Sequence, residues 1–469
     1  MRGHWGRGVG LNAAAAAAYL AVLCAGDCAS AESIHEALVQ AYQNNPQLNA
    51  QRAQVRATDE GVPQALSGYR PKLSVSASAE VEELQQKSLS STTHTISESK
   101  GLIYPYSLSA TASQTLFNGF QTGNKVRAAE SQISSAREGL RVLEQTILLN
   151  AATVYMDMLR DSAIVEVQRS NVNVLTETLK QTQDRFNAGE VTRTDVAQAE
   201  AQLAAGRFQL LTAESNLNTT RSNYRRVIGQ DPGKLSPGSP VDRFAPRTLG
   251  LAVDEGLQEN PNVTAAMYGI DVAYLQLKIN EGALYPTIVV SGTAQKTWNS
   301  SLSTIEQTQY SGTATFTMPI YQGGSEYSLI RQSKETLTQQ RLVLEQTRDQ
   351  IRQAIVQAWG QVQATKAQIE SAQAQVRSSE TALNGVREEA RVGQRTTLDV
   401  LNAQQALVNA RVSLVTAQHD RVVASYNLLS AVGRLSPEIL GLPTPIYDPR
   451  VHYYQVRDSW AGMRTPDGK

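Results

Sequence analysis

A chain of 469 residues is long enough for more than one ordinary domain, yet its aromatic content of 6% is low for a large compact core. Lys and Arg together number 43, as do Asp and Glu, so the net charge is zero and the chain lacks the basic footprint of a nucleic-acid binder. Beyond residue 31 no stretch of about eighteen apolar residues occurs, which excludes a membrane-spanning helix.

Arg2 and Arg7 precede an Ala-rich apolar run over 11–23, followed by the small-x-small triplet Ala29-Ser30-Ala31. This pattern predicts a secretory signal peptide over 1–31, cut before Glu32. Both cysteines, Cys24 and Cys28, fall inside it, leaving the mature chain without a thiol. Asp27 beside Cys28 spoils the small-residue context of lipid attachment, so a soluble N-terminus is expected.

The mature chain begins with a helical stretch over 33–67, interrupted at Asn45-Pro46 and broken at Gly68-Tyr69-Arg70-Pro71. Leu73, Val75, Ala77, Ala79 and Val81 then alternate with Ser74, Ser76, Ser78 and Glu80, the period of a strand. The Ser/Thr-rich stretch 85–101 has no period and reads as a loop. A second strand follows, with Leu102, Tyr104, Tyr106, Leu108, Ala110 and Ala112 on one face and hydroxyl side chains on the other. Leu116-Phe117-Asn118-Gly119-Phe120 marks a strand-to-helix corner.

Apolar residues then recur on heptads: Val126, Ala129, Ile133, Ala136, Leu140, Leu143, Ile147 and Val154. After an eleven-residue step, a stutter that locally unwinds a supercoil, the seam resumes at Val165, Val172, Leu175, Leu179 and Phe186. The predicted helix over 122–187 would be roughly 100 Å long. A second helix is expected over 194–228, and Pro232, Pro237, Pro240 and Pro246 mark a linker.

The plan then repeats. Asn260-Pro261 matches Asn45-Pro46, and Tyr285-Pro286 opens a strand carrying Ile288, Val290 and Ala294. Its partner sets Tyr310, Ala314, Phe316 and Met318 against Ser311, Thr313, Thr315 and Thr317, ahead of the corner 319–324. Ile330, Leu337, Leu344, Ile351, Ile369, Val376 and Leu383 each lie 204 residues beyond their counterparts in the first seam. The expected organisation is a first repeat over 32–230, a linker over 231–250, a second repeat over 251–435 and a tail over 436–469. The two shorter helices of each repeat are expected to stack end to end beside the long one.

The most informative duplication joins two hairpin tips. Gly189, Thr192 and Asp195 match Gly393, Thr396 and Asp399 at the same 204-residue offset. In each, a Gly can end one helix in the left-handed region, and a Thr three residues later can cap the next, with an Asp in its first turn.

Four strands with one polar and one apolar face cannot close a membrane barrel, which needs at least about eight. Two copies would supply eight strands and three would supply twelve. Tyr69, Phe117, Tyr285 and Tyr321 fall where strands meet helices, and Tyr104, Trp298 and Tyr310 fall toward the loops, as two membrane interfaces require; the alternative is a soluble sandwich with ordinary core aromatics.

On its two corners and two tips, Val392-Gly393-Gln394-Arg395-Thr396 with Leu398-Asp399-Val400-Leu401 above all, the chain resembles the TolC family of outer-membrane channel-tunnels across 32–435. The resemblance implies a mainly α fold with a membrane β-barrel: a long coiled-coil-like α-helical tunnel plus four β-strands per chain, contributing to a trimeric twelve-stranded barrel. It implies export from a tripartite efflux or type I secretion system, with a periplasmic adaptor (membrane fusion) protein, an inner-membrane ABC or RND-type pump and outer-membrane lipid as partners. The linker around 232–246 and the tail after Leu435 would build an equatorial collar. By resemblance, Thr194, Asp195, Arg395, Asp399 and Asn402 surround the periplasmic aperture, and Arg395 bonds to an acid such as Asp195. Gly189, Glu190, Gly393 and Gln394 are the adaptor-docking tips. Ala390 stands where the family's best-known gate has a Tyr, and Asn402 where a second acid is common, a pattern that implies a looser latch. The competing reading is a passive porin or a trimeric coiled-coil surface protein. No cofactor, metal or catalytic constellation is expected, and His35, His94, His419 and His452 read as isolated surface side chains.

Overall fold

The computed structural model describes residues 31–469 apart from Ser90, Thr93, Asp467 and Lys469, so the leader expected over 1–31 lies, but for Ala31, outside the described residues. Helices α1 (Ile34–Asn44), α2 (Pro46–Asp59) and α3 (Gly61–Leu66) lead to β1 (Lys72–Ala79), β2 (Glu82–Leu89), β3 (Ile96–Ile103) and β4 (Tyr106–Asn118). Then come α4 (Gln121–Asn187) and α5 (Arg193–Ile228). The second half follows the same order with α6 (Leu249–Glu259), α7 (Pro261–Gly282), β5 (Thr287–Trp298), β6 (Glu306–Thr317), α8 (Ser325–Arg391) and α9 (Thr397–Val432). Short helices α10 (Pro437–Leu440) and α11 (Arg450–Val456) complete the chain. Both long helices, α4 and α8, have 67 residues, and both return helices, α5 and α9, have 36.

The heptad seams explain why these helices lie side by side. Ile133, Leu140, Ile147, Val165 and Leu175 are buried along α4, as are Ile330, Leu337, Leu344 and Leu383 along α8. Helix α4 packs against α2 and α3 in its upper half and α5 in its lower half, while α8 packs against α7 above and α9 below.

One asparagine per repeat makes the end-to-end stack. The Asn45 carboxamide oxygen accepts from the N–H groups of Gln47 (2.9 Å) and Leu48 (3.3 Å), capping α2 with Pro46 at its first position. Its Nδ2 donates to the Val227 carbonyl at 3.1 Å, in the last turn of α5. Asn260 does the same for α7 and α9, accepting from the Asn262 N–H at 2.9 Å and donating to the Ala431 carbonyl at 2.9 Å. One carboxamide thus satisfies an orphan donor of one helix and an orphan acceptor of another, and the dipoles run head to tail through the joint. The joint is dry: Asn260 is 1% exposed. It is also tight, because Gly433 ends α9 at φ 91°, where a Cβ would lie 2.6 Å from the Asn260 Cα.

A collar core sits at this level. Tyr42, Tyr155, Tyr224 and Tyr426 are buried among α1, α4, α5 and α9, with Leu435, Leu440 and Leu442 from the tail. The Tyr155 hydroxyl lies 2.8 Å from the Glu32 carbonyl and 2.7 Å from that of Ser236, tying the linker to the chain start, and burial pushes its pKa up to about 12.

The four-stranded antiparallel sheet has the order β1-β4-β5-β6. Its register aligns Leu73 with Ala112 and Gly292, and Val75 with Ala110, Ala294 and Tyr310, on one face. The opposite face is a hydroxyl ladder, with Ser76–Ser109 at 2.8 Å, Ser78–Ser107 at 2.9 Å and Thr111–Thr293 at 3.2 Å. A bulge between Thr115 and Phe117 turns Phe117 onto the face shared by Ile288 and Phe316.

Four expectations are corrected. The stretch 85–101 is no loop but most of a hairpin, β2 paired with β3, and β4 begins at Tyr106 rather than Leu102. Apart from Ile103 at its base, the hairpin is largely exposed on both faces and laced by Lys87–Glu98 (3.3 Å) and Lys100–Glu83 (2.9 Å), so no continuous buried side imposed a period. Tyr310 lies four rows inside Trp298, and the residue stacked on Trp298 is Tyr106, at 5.0 Å. His419 and His452 are buried, not surface. His419 lies 2.9 Å from Asp157 and 2.8 Å from Asp420; burial lowers its pKa, but the two carboxylates more than offset this and leave it raised. His452 joins α11 to buried Asp59 at 3.1 Å.

Breaking a splice should be costly. Asn45→Ala removes a cap and strands a buried carbonyl, so a loss of about 2–4 kcal/mol is expected, read as a lower melting temperature. Asn45→Asp keeps the cap acceptor but not the donor to Val227, and should fall between wild type and alanine. Equal melting of all three chains would show that the joint is held by packing alone.

Candidate functional site at the hairpin tips

Each tip follows from three residues. Gly189 (φ 78°) and Gly393 (φ 80°) sit in the left-handed region. At the first, N–H groups of Gly189 and Glu190 donate to the Phe186 and Arg185 carbonyls, each at 2.9 Å; at the second, Gly393 and Gln394 donate to Ala390 (3.2 Å) and Glu389 (2.9 Å). These are Schellman closures, which satisfy the last carbonyls of α4 and α8. The return helices then start with capping boxes. The Thr192 hydroxyl accepts from the Asp195 N–H at 3.3 Å, and the Asp195 carboxylate accepts from the Thr192 N–H at 2.9 Å. Thr396 and Asp399 match them at 3.2 and 2.9 Å.

The two acids are therefore caps. Hydrogen bonds from the Thr192 hydroxyl and backbone hold the Asp195 carboxyl below the usual carboxylate range, and those from the Thr396 backbone and hydroxyl do so for Asp399. Each uses only one oxygen, Oδ2, for both bonds. The carboxylates thus stay charged at neutral pH with one oxygen left over.

The tips differ in one respect that residue spacing concealed. Arg185 of α4 pairs with Glu190 in the first turn at 3.1 Å, whereas Arg395 in the second turn pairs with Glu389 of α8 at 2.8 Å. The pair that closes the turn is reversed in polarity between the repeats. The expected bond from Arg395 to Asp195 is not made within the protomer, because Glu389 holds Arg395 in its own tip. Arg185 and Glu389 were missed because pairs five and six residues apart around a turn lie outside the helical three-and-four rule.

The structure places Gly189, Glu190 and Thr194 exposed on one tip, and Gly393, Gln394, Arg395 and Asn402 exposed on the other. A groove of about 790 Å³ runs between the hairpins, bringing Glu190 opposite Arg387, Arg391, Thr397 and Val400, with Ala390 on its wall. Above it the hairpins are joined. Leu175, Leu203 and Leu401 pack together, and Arg387 donates to Gln404 (3.1 Å), which donates to Asn171 (3.3 Å). Among the described residues no cluster of His, Cys, Asp and Glu could hold a metal. What the tips offer is two well-capped, exposed turns on a common base, closed by ion pairs of opposite polarity.

Comparison with known proteins agrees with this architecture. The outer membrane efflux protein family model matches residues 37–230 and 252–434. The chain is 39% identical over 466 residues to outer membrane efflux protein BepC of Brucella suis biovar 1, covering 97% of each. It is 24% identical to outer membrane protein TolC of Escherichia coli K12, covering 87% of this chain and 84% of that one. Among solved structures, outer membrane protein VceC of Vibrio cholerae superposes with a TM-score of 0.72 at 20% identity, covering 85% of this chain and 96% of that one.

The caps set an acid limit. An acid whose folded pKa is depressed stabilises the fold above its unfolded pKa, near 4, and that contribution is lost as pH falls through the folded value. Amide exchange in the first turns of α5 and α9, corrected for intrinsic rate, should accelerate below about pH 4 while the rest of each helix stays protected. Thr396→Ala should loosen the first turn of α9 by about 1 kcal/mol at neutral pH. A first turn that exchanges identically in wild type and mutant would show that the box contributes nothing.

Proposed function

The chain belongs to the outer membrane efflux protein family and is an outer-membrane channel-tunnel of a Gram-negative cell, and on that premise we propose that three copies form one exit duct served by a periplasmic adaptor and an inner-membrane pump. The observation that carries the assembly is the sheet. β1 and β6 each pair on one side only, and the face bearing Leu73, Val75, Tyr310 and Phe316 is exposed, Tyr310 by 81%. Unpaired edges and an apolar outer face in lipid leave closure with further copies as the way to satisfy every backbone group. Three chains bring twelve strands, with the hydroxyl ladder lining the pore and the paired 67-residue helices forming a tunnel of roughly 100 Å below it.

Gly189, Glu190, Gly393 and Gln394 would then meet the adaptor, and Thr194, Asp195, Arg395, Asp399 and Asn402 would surround the aperture. The support is geometric: the turns are rigid, exposed and at the far end from the sheet. Substrates would pass from the pump, ABC or RND in type, through the adaptor-held aperture. Efflux is favoured over protein secretion by the 39% identity with BepC, an outer membrane efflux protein. A passive porin would need neither the duplicated hairpins nor their joined base.

Extracted protein should have the mass of three chains; a stable folded monomer would overturn the assembly. Gly393→Val forces a β-branched residue into the left-handed region and should cut export while leaving trimer and insertion intact. Drug-sensitivity and secreted-protein profiles of a deletion strain, complemented by each form, read the loss and identify the cargo class. Normal export by the mutant would remove the tips from the docking surface. In planar bilayers, Asp399→Asn should abolish cation preference and block by multivalent cations without lowering the melting temperature much. Unchanged selectivity would leave Asp399 a cap alone.

A further inference from the structure

The tail after α10 does not end at the collar but climbs the wall. On the inner face of α11, buried His452 meets Asp59 at 3.1 Å, and the Arg137 guanidinium lies 5.2 Å from the Tyr453 ring centroid. Arg457 approaches Glu130 of α4 at 4.0 Å. The chain then reaches the foot of the sheet. Arg70, two residues before β1, donates to the Ser459 carbonyl at 2.6 Å and places its guanidinium 4.7 Å from the Trp460 ring centroid.

Trp460 is 71% exposed there, and Met463 beyond it is wholly exposed. This level is also that of Tyr69, Tyr285 and Tyr321, the exposed aromatic residues of the strand–helix corners. An exposed Trp and Met would be a liability in water, but a Trp with one face on a guanidinium and the other free suits a headgroup layer, apolar on one side and charged on the other. Arg70, Arg457 and Arg464 supply the charge that attracts phosphate. The side is fixed by the duct itself: three tails on the inner wall would obstruct the lumen, so the tail lies outside.

We propose that the segment 458–464 is an interfacial anchor, with Trp460 and Met463 seated in the phospholipid headgroup layer of the periplasmic leaflet and Arg70 as the tether that positions Trp460. The occupant is lipid rather than a neighbouring copy, because the segment continues the belt at the foot of the lipid-facing sheet. The anchor widens that belt beyond the strands and ties the collar, through α11, to the membrane surface. This inference rests on the barrel reading above.

Tryptophan quenching separates the two. The mature chain has three tryptophans, Trp298, Trp359 and Trp460, since Trp5 lies in the leader. Two single-tryptophan chains, Trp298→Phe with Trp359→Phe, and Trp359→Phe with Trp460→Phe, are reconstituted into phosphatidylcholine vesicles. The lipid is brominated near the carbonyl end of its acyl chains, or unbrominated as the reference. Trp298 shares the lipid-facing row of Ile288 and Val290 and reports the barrel itself. The expected result is quenching of Trp460 comparable with that of Trp298, lost on Arg70→Gln for Trp460 but retained for Trp298. Quenching of Trp298 alone would overturn the anchor and keep the barrel, with blue-shifted Trp460 emission assigning the segment to a neighbouring subunit and red-shifted emission to water. Quenching of neither would overturn both readings.

Discussion

A duct about as long as a 67-residue helix is built partly from helices half that length, and everything above and below the collar depends on how those pieces join. Asn45 and Asn260 solve this with one side chain each, giving an acceptor to the helix that starts and a donor to the helix that ends. A helix end buried without partners would leave several orphan groups in a dry site. The splice lets the wall pass through the collar core without a break, so the sheet above and the tips below keep a fixed relation.

The collar then serves as the place where separate parts of the chain are bound together. The linker meets the chain start at Tyr155, the tail contributes Leu435, Leu440 and Leu442, and α9 contributes Val422, Tyr426 and Leu429. This is where the largest cluster of buried apolar side chains lies, whereas the helices below carry only a narrow seam. Stability is thus concentrated at mid-height. The tips hang from it on polar and small apolar contacts, so opening there costs less than opening at the collar.

Asp195 and Asp399 hold their helices through one carboxylate oxygen and keep their charge, and the turn-closing ion pair is inverted between the two hairpins. In a threefold arrangement the result is an alternating ring of turns whose closing ion pairs point in opposite directions. A docking partner could distinguish the two kinds of turn on electrostatics alone, although their backbones match.

Much of this was legible in the chain because the physics that dictates it is local. The two long helices follow from heptads, the strands over 72–79 and 106–118 from alternation against a single lipid or core face, and the tips from a glycine, a threonine and an aspartate within seven residues. The stacking of short helices on a long one could be inferred from lengths. What only the tertiary structure decided are contacts between groups far apart in sequence or outside any regular period. The β2–β3 hairpin has no buried face to impress a pattern on its residues. His419 and His452 found carboxylates on other helices, 262 and 393 residues away in the cases of Asp157 and Asp59. Within the protomer, Arg395 is held by Glu389 across its own turn. Asn45 showed its cap in sequence, next to Pro46, but not the carbonyl of Val227 on its other side. A cap is set by three neighbouring residues, whereas a splice exists only once two helix ends have been brought together.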